Sequence, residues 1–341
     1  MRPLRSVHRF RACRNADPRR WFAIIPARGR GRRAAPVSRN MSEHAELKPV
    51  SGRPTRGTPP TESVLRPLWL AAAFGIFLYL GWSLLAGVFQ PRADWFVAGR
   101  WRAELLVYYA TLDGFALALS AAFLCGLDGR NFRLLGLWLD PGWFRHAAAG
   151  LAWGMAVISS SVLLLAATRS AGVNVLASRA LSRIVFLAAF LLLSALFEEL
   201  AFRGYALVRA ADAVGPVVAC LVSSAIFGLA HFANPHATFF STLNTALAGV
   251  LLAIARLRSR ALWMPIALHF AWNFSLGPLF SFPVSGLTFG ADQLSTPAPG
   301  PVWLSGGAYG PEGSVALTAA LAVAIPLLLR FPMGSNPFPP S

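Results

Sequence analysis

The chain contains the segment Leu196-Phe197-Glu198-Glu199-Leu200-Ala201-Phe202-Arg203-Gly204-Tyr205, in which three ionisable side chains interrupt an apolar run. The residues before them, 184–197, carry no charge. An ionised side chain at the centre of a bilayer costs about 2.5–3.5 kcal/mol on insertion scales. We therefore expect Glu198, Glu199 and Arg203 to face other helices or a wet cavity, where such residues mark a functional site.

The composition of the whole chain is that of a membrane protein. Of its 341 residues 55% are hydrophobic and 13% charged, against about 25% charged residues in a soluble domain. A helix needs about 20 apolar residues to cross roughly 30 Å of hydrocarbon. We predict an all-α, polytopic membrane helix bundle with about eight transmembrane helices, at residues 68–89, 105–127, 147–168, 184–207, 214–234, 238–257, 261–280 and 314–330.

The net charge of +17 is concentrated at the N-terminus, where residues 1–40 hold twelve Arg and one Asp. We predict a basic, proline-rich, disordered extension over residues 1–66, a transmembrane domain over 67–330 and a short tail over 331–341. We interpret residues 1–40 as the product of a mis-called start, because Met41 opens an ordinary N-terminal sequence. The block has no regular periodicity, and we expect no nucleic acid partner.

Helical spacing separates the two adjacent glutamates. Residues four apart share a helix face, so Glu199 and Arg203 are predicted to pair and to neutralise each other. Glu198 points about 100° away and does not share that pairing easily. We therefore expect Glu199 to be structural and Glu198 to be free for chemistry.

A histidine after the next turn is predicted to meet Glu198. The segment Val214-Gly215-Pro216 is typical of a turn, and it lies midway between Glu198 and His231. If both helices run unbroken to this turn, the two side chains lie at the same depth on antiparallel neighbours. Phe227 lies four residues before His231, so it shares the helix face of His231 and would line the site.

A second histidine lies in the seventh apolar segment. His269 and Asn273 are four residues apart and project from one face. With Glu198 and His231 they complete a carboxylate, two imidazoles and an amide in a low-dielectric pocket. Those groups suit the activation of a water molecule and the stabilisation of an oxyanion. By contrast, we interpret Asp113 and Asn244 as helix-to-helix hydrogen-bonding residues.

Three motifs in this order resemble the CPBP family of intramembrane proteases. They are Glu198-Glu199-x-x-x-Arg203, Phe227-x-x-x-His231 and His269-x-x-x-Asn273. This family of CAAX-protease and bacteriocin-processing (Abi) proteins includes the eukaryotic Ras-converting CAAX endopeptidase. The segments Pro283–Gly286 and Gly306–Glu312 are similar to bacterial members, so the resemblance covers about residues 130–330.

The resemblance implies an eight-helix bundle that hydrolyses a peptide bond inside the membrane. By position, Glu198 would activate water with His231 beside it, and His269 would polarise the scissile carbonyl. Asn273 would also polarise this carbonyl. Glu199, Arg203 and Phe227 would support the site. The implied partners are a membrane-associated peptide or protein substrate and the lipid bilayer.

The cofactor requirement is open, with Zn²⁺ as the candidate ion. Glu198, His231 and His269 would supply a shell of two histidines and one glutamate with a position left for water. However, the chain has no His-Glu-x-x-His segment, which would fix two ligands on one helix. We therefore favour glutamate-dependent catalysis without a metal as the mechanism, although we expect the resemblance to carry the label of metalloprotease.

Two other functions fit the same polar groups. One is a non-enzymatic membrane scaffold in bacteriocin immunity. The other is a proton-coupled transporter with Glu198 and His231 as its relay. Serine and aspartyl intramembrane proteases fit worse, because no Gly-x-Ser-Gly lies in a span and Gly-x-Gly-Asp is missing.

For all of these functions we expect a multi-pass protein of the inner cell membrane. Its N-terminus is expected in the cytoplasm, because basic residues flank the first span on that side.

Overall fold

The computed structural model describes residues 60–90, 103–175, 181–289 and 301–333, which form a helical bundle. Within these ranges the only extended pairing is an isolated bridge between Val284 and Leu287. The predicted N-terminal extension lies outside the described residues, except for residues 60–66. Those residues belong to the first helix, which therefore begins before residue 67, where the transmembrane domain was predicted to start. Most of the predicted tail also lies outside the described residues.

Ten α-helices follow one another along the described chain, and two of them continue as π-helical turns. The α-helices are α1 Pro60–Phe89, α2 Ala103–Ala121, α3 Trp143–Ala167, α4 Leu181–Arg203, α5 Tyr205–Val214, α6 Pro216–Ala230, α7 Phe239–Ser259, α8 Trp263–Phe274, α9 Val302–Ser305 and α10 Val315–Arg330. The π-helical turns are Ala122–Leu127 after α2 and Ser275–Leu279 after α8. Short 3₁₀ turns lie at Phe132–Leu135, His231–Ala233, Gly307–Tyr309 and Pro311–Gly313.

Six helical stretches in the described chain are long and apolar enough to cross a membrane. They are Val64–Phe89, Ala103–Leu127, Trp143–Ala167, Leu181–Val214, Pro216–Ala233 and Phe239–Ser259. The other two predicted spans coincide with shorter helices, α8 with its π-helical turn and α10. The prediction of an all-α, multi-pass membrane bundle is confirmed.

The condition for placing Glu198 and His231 at the same depth is not met, because the helix that carries Glu198 does not run unbroken to the turn at Gly215. Helix α4 ends at Arg203, and α5 starts again at Tyr205 after Gly204, whose φ and ψ are −73° and −122°. Glycine is about 1 kcal/mol less favourable than alanine inside a helix, and it permits this change of direction. A Cβ atom at position 204 would lie 2.4 Å from the carbonyl oxygen of Leu200.

A partly buried charge cluster holds α5 in its new direction. The Nε atom of Arg209 lies 2.8 Å from a carboxylate oxygen of Asp128, and its Nη1 lies 2.6 Å from Asp212. The Tyr205 hydroxyl donates to the same Asp128 carboxylate at 2.8 Å. These contacts join α5 to the residue that follows the π-helical turn after α2.

The two polar residues interpreted as helix-to-helix bonds behave differently. Asn244 on α7 accepts a hydrogen bond from the Thr318 hydroxyl on α10 at 2.7 Å, which confirms its assignment. Asp113 on α2 is buried, and among the described residues neither of its carboxylate oxygens has a hydrogen-bond partner. The predicted helix-to-helix bond of Asp113 is therefore not found within the described part of the chain, because no donor there lies within reach of its carboxylate.

Two glycines bring α3 against α8, in the most extensive helix pair of the described chain. Gly150 and Gly154 lie one turn apart on α3. A Cβ atom at either position would lie 2.3 Å from a backbone carbonyl oxygen of α8, that of Met264 or that of Leu268. Small residues four apart allow such close backbone approach in membranes. This contact fixes the helix that carries His269 and Asn273.

We predict that Gly154→Ala destabilises the protein by about 1–3 kcal/mol, because the added methyl group forces α3 away from the α8 backbone. The free energy of unfolding is measured by titrating SDS into mixed micelles. The matched control is Gly114→Ala on α2, where an added Cβ meets nothing within 4 Å. Equal effects of the two substitutions would contradict this account of the α3–α8 contact.

Candidate active site

A buried ion pair on the last turn of α4 forms the base of the site. Arg203 Nη1 donates to Glu199 Oε1 at 3.0 Å, and both side chains are 0% exposed. Arg203 Nη2 donates to the carbonyl oxygen of Gly249 on α7 at 3.3 Å. The guanidinium carbon lies 4.1 Å from the ring centroid of Phe227 on α6. The pairing expected from helical spacing is present, and it reaches two further helices.

A second buried arginine caps the end of α4. Arg256 Nε donates to the backbone carbonyl of Arg203 at 3.1 Å, and its Nη2 donates to that of Leu134 at 2.7 Å. These bonds satisfy a carbonyl that the helix end leaves without a partner in the helix. Arg256 was not among the residues singled out from the sequence, because its partners come from distant segments of the chain.

His269 lies on α8 and contacts the same buried carboxylate. Its Nδ1 lies 2.9 Å from Glu199 Oε1. An ionised carboxylate only accepts hydrogen bonds, so Nδ1 is the protonated nitrogen in this contact. In the neutral ring Nε2 then carries the lone pair. That atom lies 3.8 Å from Oε2 of Glu198.

His231 approaches Glu198 from another side. It follows the last residue of α6, and its Nδ1 lies 2.8 Å from the backbone carbonyl oxygen of Phe227. A carbonyl only accepts, so Nε2 again carries the lone pair of the neutral ring. His231 Nε2 lies 3.6 Å from Glu198 Oε2. The meeting of Glu198 with His231 is confirmed, although the unbroken hairpin from which it was predicted is not formed.

Glu198 differs from its neighbour in its surroundings. Its side chain is 24% exposed, whereas that of Glu199 is fully buried. The Oε2 atom of Glu198 is buried and has no hydrogen-bond partner among the described residues. It lies between Nε2 of His231 and Nε2 of His269, at distances longer than a direct hydrogen bond. The carboxylate expected to be free is therefore the one that faces both histidines.

A pocket lined in part by His231 and His269 adjoins these groups. Asn273 lies one turn after His269 on α8 and contributes to its lining. The full lining is Phe227, His231, Asn244, Thr245, Ala248, Leu252, Leu268, His269, Trp272, Asn273, Ser285, Glu312 and Leu317. The pocket thus combines apolar walls with imidazole, amide and carboxyl groups.

The candidate zinc ligands do not fit an ion in this arrangement. Among the residues that the structure describes, no group of three or more His, Cys, Asp or Glu side chains is spaced to hold a metal. Zinc requires ligand atoms at about 2.0–2.2 Å in tetrahedral positions. The spacing of Glu198, His231 and His269 therefore favours direct action on water over the binding of an ion.

A further carboxylate of the pocket is Glu312 in the turn Pro311–Gly313, which was named from the sequence only as the end of a segment of resemblance and was given no role in the site. Its Oε1 accepts a hydrogen bond from Trp272 Nε1 at 2.9 Å, and its Oε2 accepts one from the backbone N–H of Ser285. Burial raises the pKa of Glu312, although these hydrogen bonds oppose the shift. The available signal was an acidic residue in a loop that contains no Lys or Arg.

One known protein family matches the part of the chain that contains these residues. Residues 180–275 match the family model described as type II CAAX prenyl endopeptidase, Rce1-like. This range contains all three motifs, from Glu198 to Asn273. The match supports membership of the CPBP family of CAAX proteases and, with the apolar helices, a multi-pass membrane protease. No curated protein and no solved structure matches the chain.

We predict that Arg203→Met destabilises the protein by about 3–5 kcal/mol, because it leaves the Glu199 carboxylate buried without its cation. The measurement is the free energy of unfolding in mixed micelles. Arg130→Met is the matched control, since Arg130 pairs with Asp212 at 2.9 Å but both side chains are 40% exposed. Exposed pairs contribute only about 0–1 kcal/mol. A small loss in Arg203→Met would contradict the anchoring role.

Proposed function

We propose that the protein is an intramembrane endopeptidase that hydrolyses a peptide bond in a membrane-associated peptide or protein. The observation that carries this proposal is the position of Glu198 Oε2, which faces Nε2 of His231 at 3.6 Å and Nε2 of His269 at 3.8 Å. A carboxylate and two imidazoles between apolar helices supply the groups that hydrolysis needs.

Glu198 acts on a water molecule in this proposal. A water about 2.8 Å from Glu198 Oε2 can also reach the Nε2 atom of either histidine, because each nitrogen is less than twice that distance from the oxygen. Glu198 accepts a proton from the water while the water oxygen bonds to the scissile carbonyl carbon. Glu198 then returns the proton to the leaving nitrogen as the C–N bond breaks.

His269 and Asn273 act on the carbonyl oxygen. The Asn273 amide donates to the oxyanion that develops, as in other preorganised oxyanion sites. His269 donates from Nε2 in its doubly protonated form, which the Glu199 contact at Nδ1 stabilises. Arg203 and Phe227 hold Glu199 in place for this purpose.

The location and partners follow from the same proposal. The protein lies in the inner cell membrane with its N-terminus in the cytoplasm, as the basic residues before the first span favour. Exposed apolar side chains on α1 and α6, including Phe77, Leu84 and Leu221, are suited to contact with lipid. The substrate is then a peptide or protein that enters from the bilayer or its surface.

We predict that Glu198→Gln lowers the rate of cleavage by about 10²–10⁴-fold, because the amide cannot accept the proton of the water. The isosteric change is expected to leave the protein folded and inserted. Cleavage is measured in proteoliposomes with fluorescence-quenched membrane peptides. Glu104→Gln is the matched control, since Glu104 is an exposed glutamate in the first turn of α2.

The same assay separates the competing functions and tests the metal. A wild-type rate in Glu198→Gln would overturn the proposed mechanism, and a binding scaffold would show no cleavage in any variant. A transporter would instead show solute flux that depends on a pH gradient. We expect the rate to persist in EDTA and in 1,10-phenanthroline. Its loss in chelator and recovery with Zn²⁺ would overturn the metal-free assignment.

A further inference from the structure

The carboxyl group of Glu312 joins two separate walls of the pocket. Its Oε1 accepts from the indole N–H of Trp272 on α8, at 2.9 Å, and its Oε2 accepts from the backbone N–H of Ser285. Its own backbone carbonyl accepts from Asn244 Nδ2 on α7 at 2.9 Å. The side chain is buried, and it lines the pocket together with both histidines.

The first wall is the part of α8 that carries the proposed oxyanion groups. Trp272 lies next to Asn273 and three residues after His269, and all three are buried. An indole held at its N–H fixes both the depth and the rotation of this helix turn. A shift of α8 would therefore move His269 and Asn273 together relative to Glu198.

The second wall is the tight turn of residues 283–287. Ser285 has a φ of 49° and Gly286 one of 80°, a left-handed conformation that a serine rarely adopts. The Ser285 carbonyl accepts from Asn234 Nδ2 at 3.2 Å, three residues after His231. A Cβ atom on Gly286 would lie 2.1 Å from the carbonyl oxygen of Pro235. This turn is thus held by Glu312 on one side and by the chain after α6 on the other.

We propose that Glu312 is a positioning residue of the active site. Its two carboxylate oxygens set α8 and the turn of residues 283–287 at a fixed separation across the pocket, where the scissile bond would lie. This inference rests on the proposed peptidase function. Glu312 is assigned no contact with the substrate, and it lies outside the matched range of residues 180–275.

The first test substitutes the carboxyl group by an amide. A glutamine has one acceptor oxygen and an NH₂ group, so Glu312→Gln can satisfy Trp272 or Ser285 but not both. We expect kcat to fall about tenfold or more and KM to change less than about twofold, because substrate contacts are kept while the reacting geometry is lost. An unchanged kcat, or a loss confined to KM, would overturn the proposal.

A double-mutant cycle identifies the bond through which Glu312 acts. Trp272→Phe keeps an aromatic ring but removes the indole donor. We expect the double variant Glu312→Gln/Trp272→Phe to have a kcat no lower than that of the less active of the two single variants. The reason is that the effects of substituting two residues in contact do not add. Fully additive losses would overturn the proposed link. Tyr205→Phe is the matched control: it removes a hydrogen bond to the buried Asp128 carboxylate away from the site and should leave kcat unchanged.

An NMR measurement separates this inference from the proposed function. The indole N–H signal of Trp272 is assigned by its loss in Trp272→Phe, and the side-chain amide signal of Asn273 by its loss in Asn273→Ala. We expect both signals to shift in Glu312→Gln and neither to shift in Tyr205→Phe. If the wild-type protein cleaves no peptide, the peptidase function fails, and these shifts still decide whether Glu312 positions α8. Unshifted signals would overturn the positioning role.

Discussion

The ion pair between Glu199 and Arg203 is the interaction on which the rest of the site depends. It lies wholly inside the protein, with an N–O distance of 3.0 Å. Breaking such a pair leaves a buried charge without a counterion, which is costly in a low-dielectric interior. The pair also contacts Phe227 on α6, Gly249 on α7 and His269 on α8. One turn of α4 therefore fixes the relative positions of three other helices.

The two adjacent glutamates have different roles in the site. Glu199 uses its charge to hold Arg203 and to orient His269 through Nδ1. Glu198 keeps a carboxylate oxygen without a hydrogen-bond partner among the described residues, directed at His231 and His269. A helix turns about 100° per residue, so neighbouring carboxyl groups reach different environments. This difference makes one residue structural and the other available for chemistry.

Local periodicity made part of this structure predictable. Spacing by four placed Glu199 with Arg203 and His269 with Asn273, and the apolar segments predicted the helical bundle. The break at Gly204, the glycine contact of α3 and the capping by Arg256 were not predicted, because each depends on packing between distant segments. Glu312 was missed for the same reason, since its partners Trp272 and Ser285 come from two other parts of the chain.

The most direct measurement is a cryo-EM structure of the protein in lipid nanodiscs, at a resolution that shows carboxylate and imidazole side chains. We expect Glu198 Oε2 between Nε2 of His231 and Nε2 of His269, at distances near 3.6 and 3.8 Å. We also expect Glu199 to be buried against Arg203. A Glu198 side chain that faces lipid would contradict the central claim. So would one farther from both imidazoles than a single bridging water spans, about 6 Å.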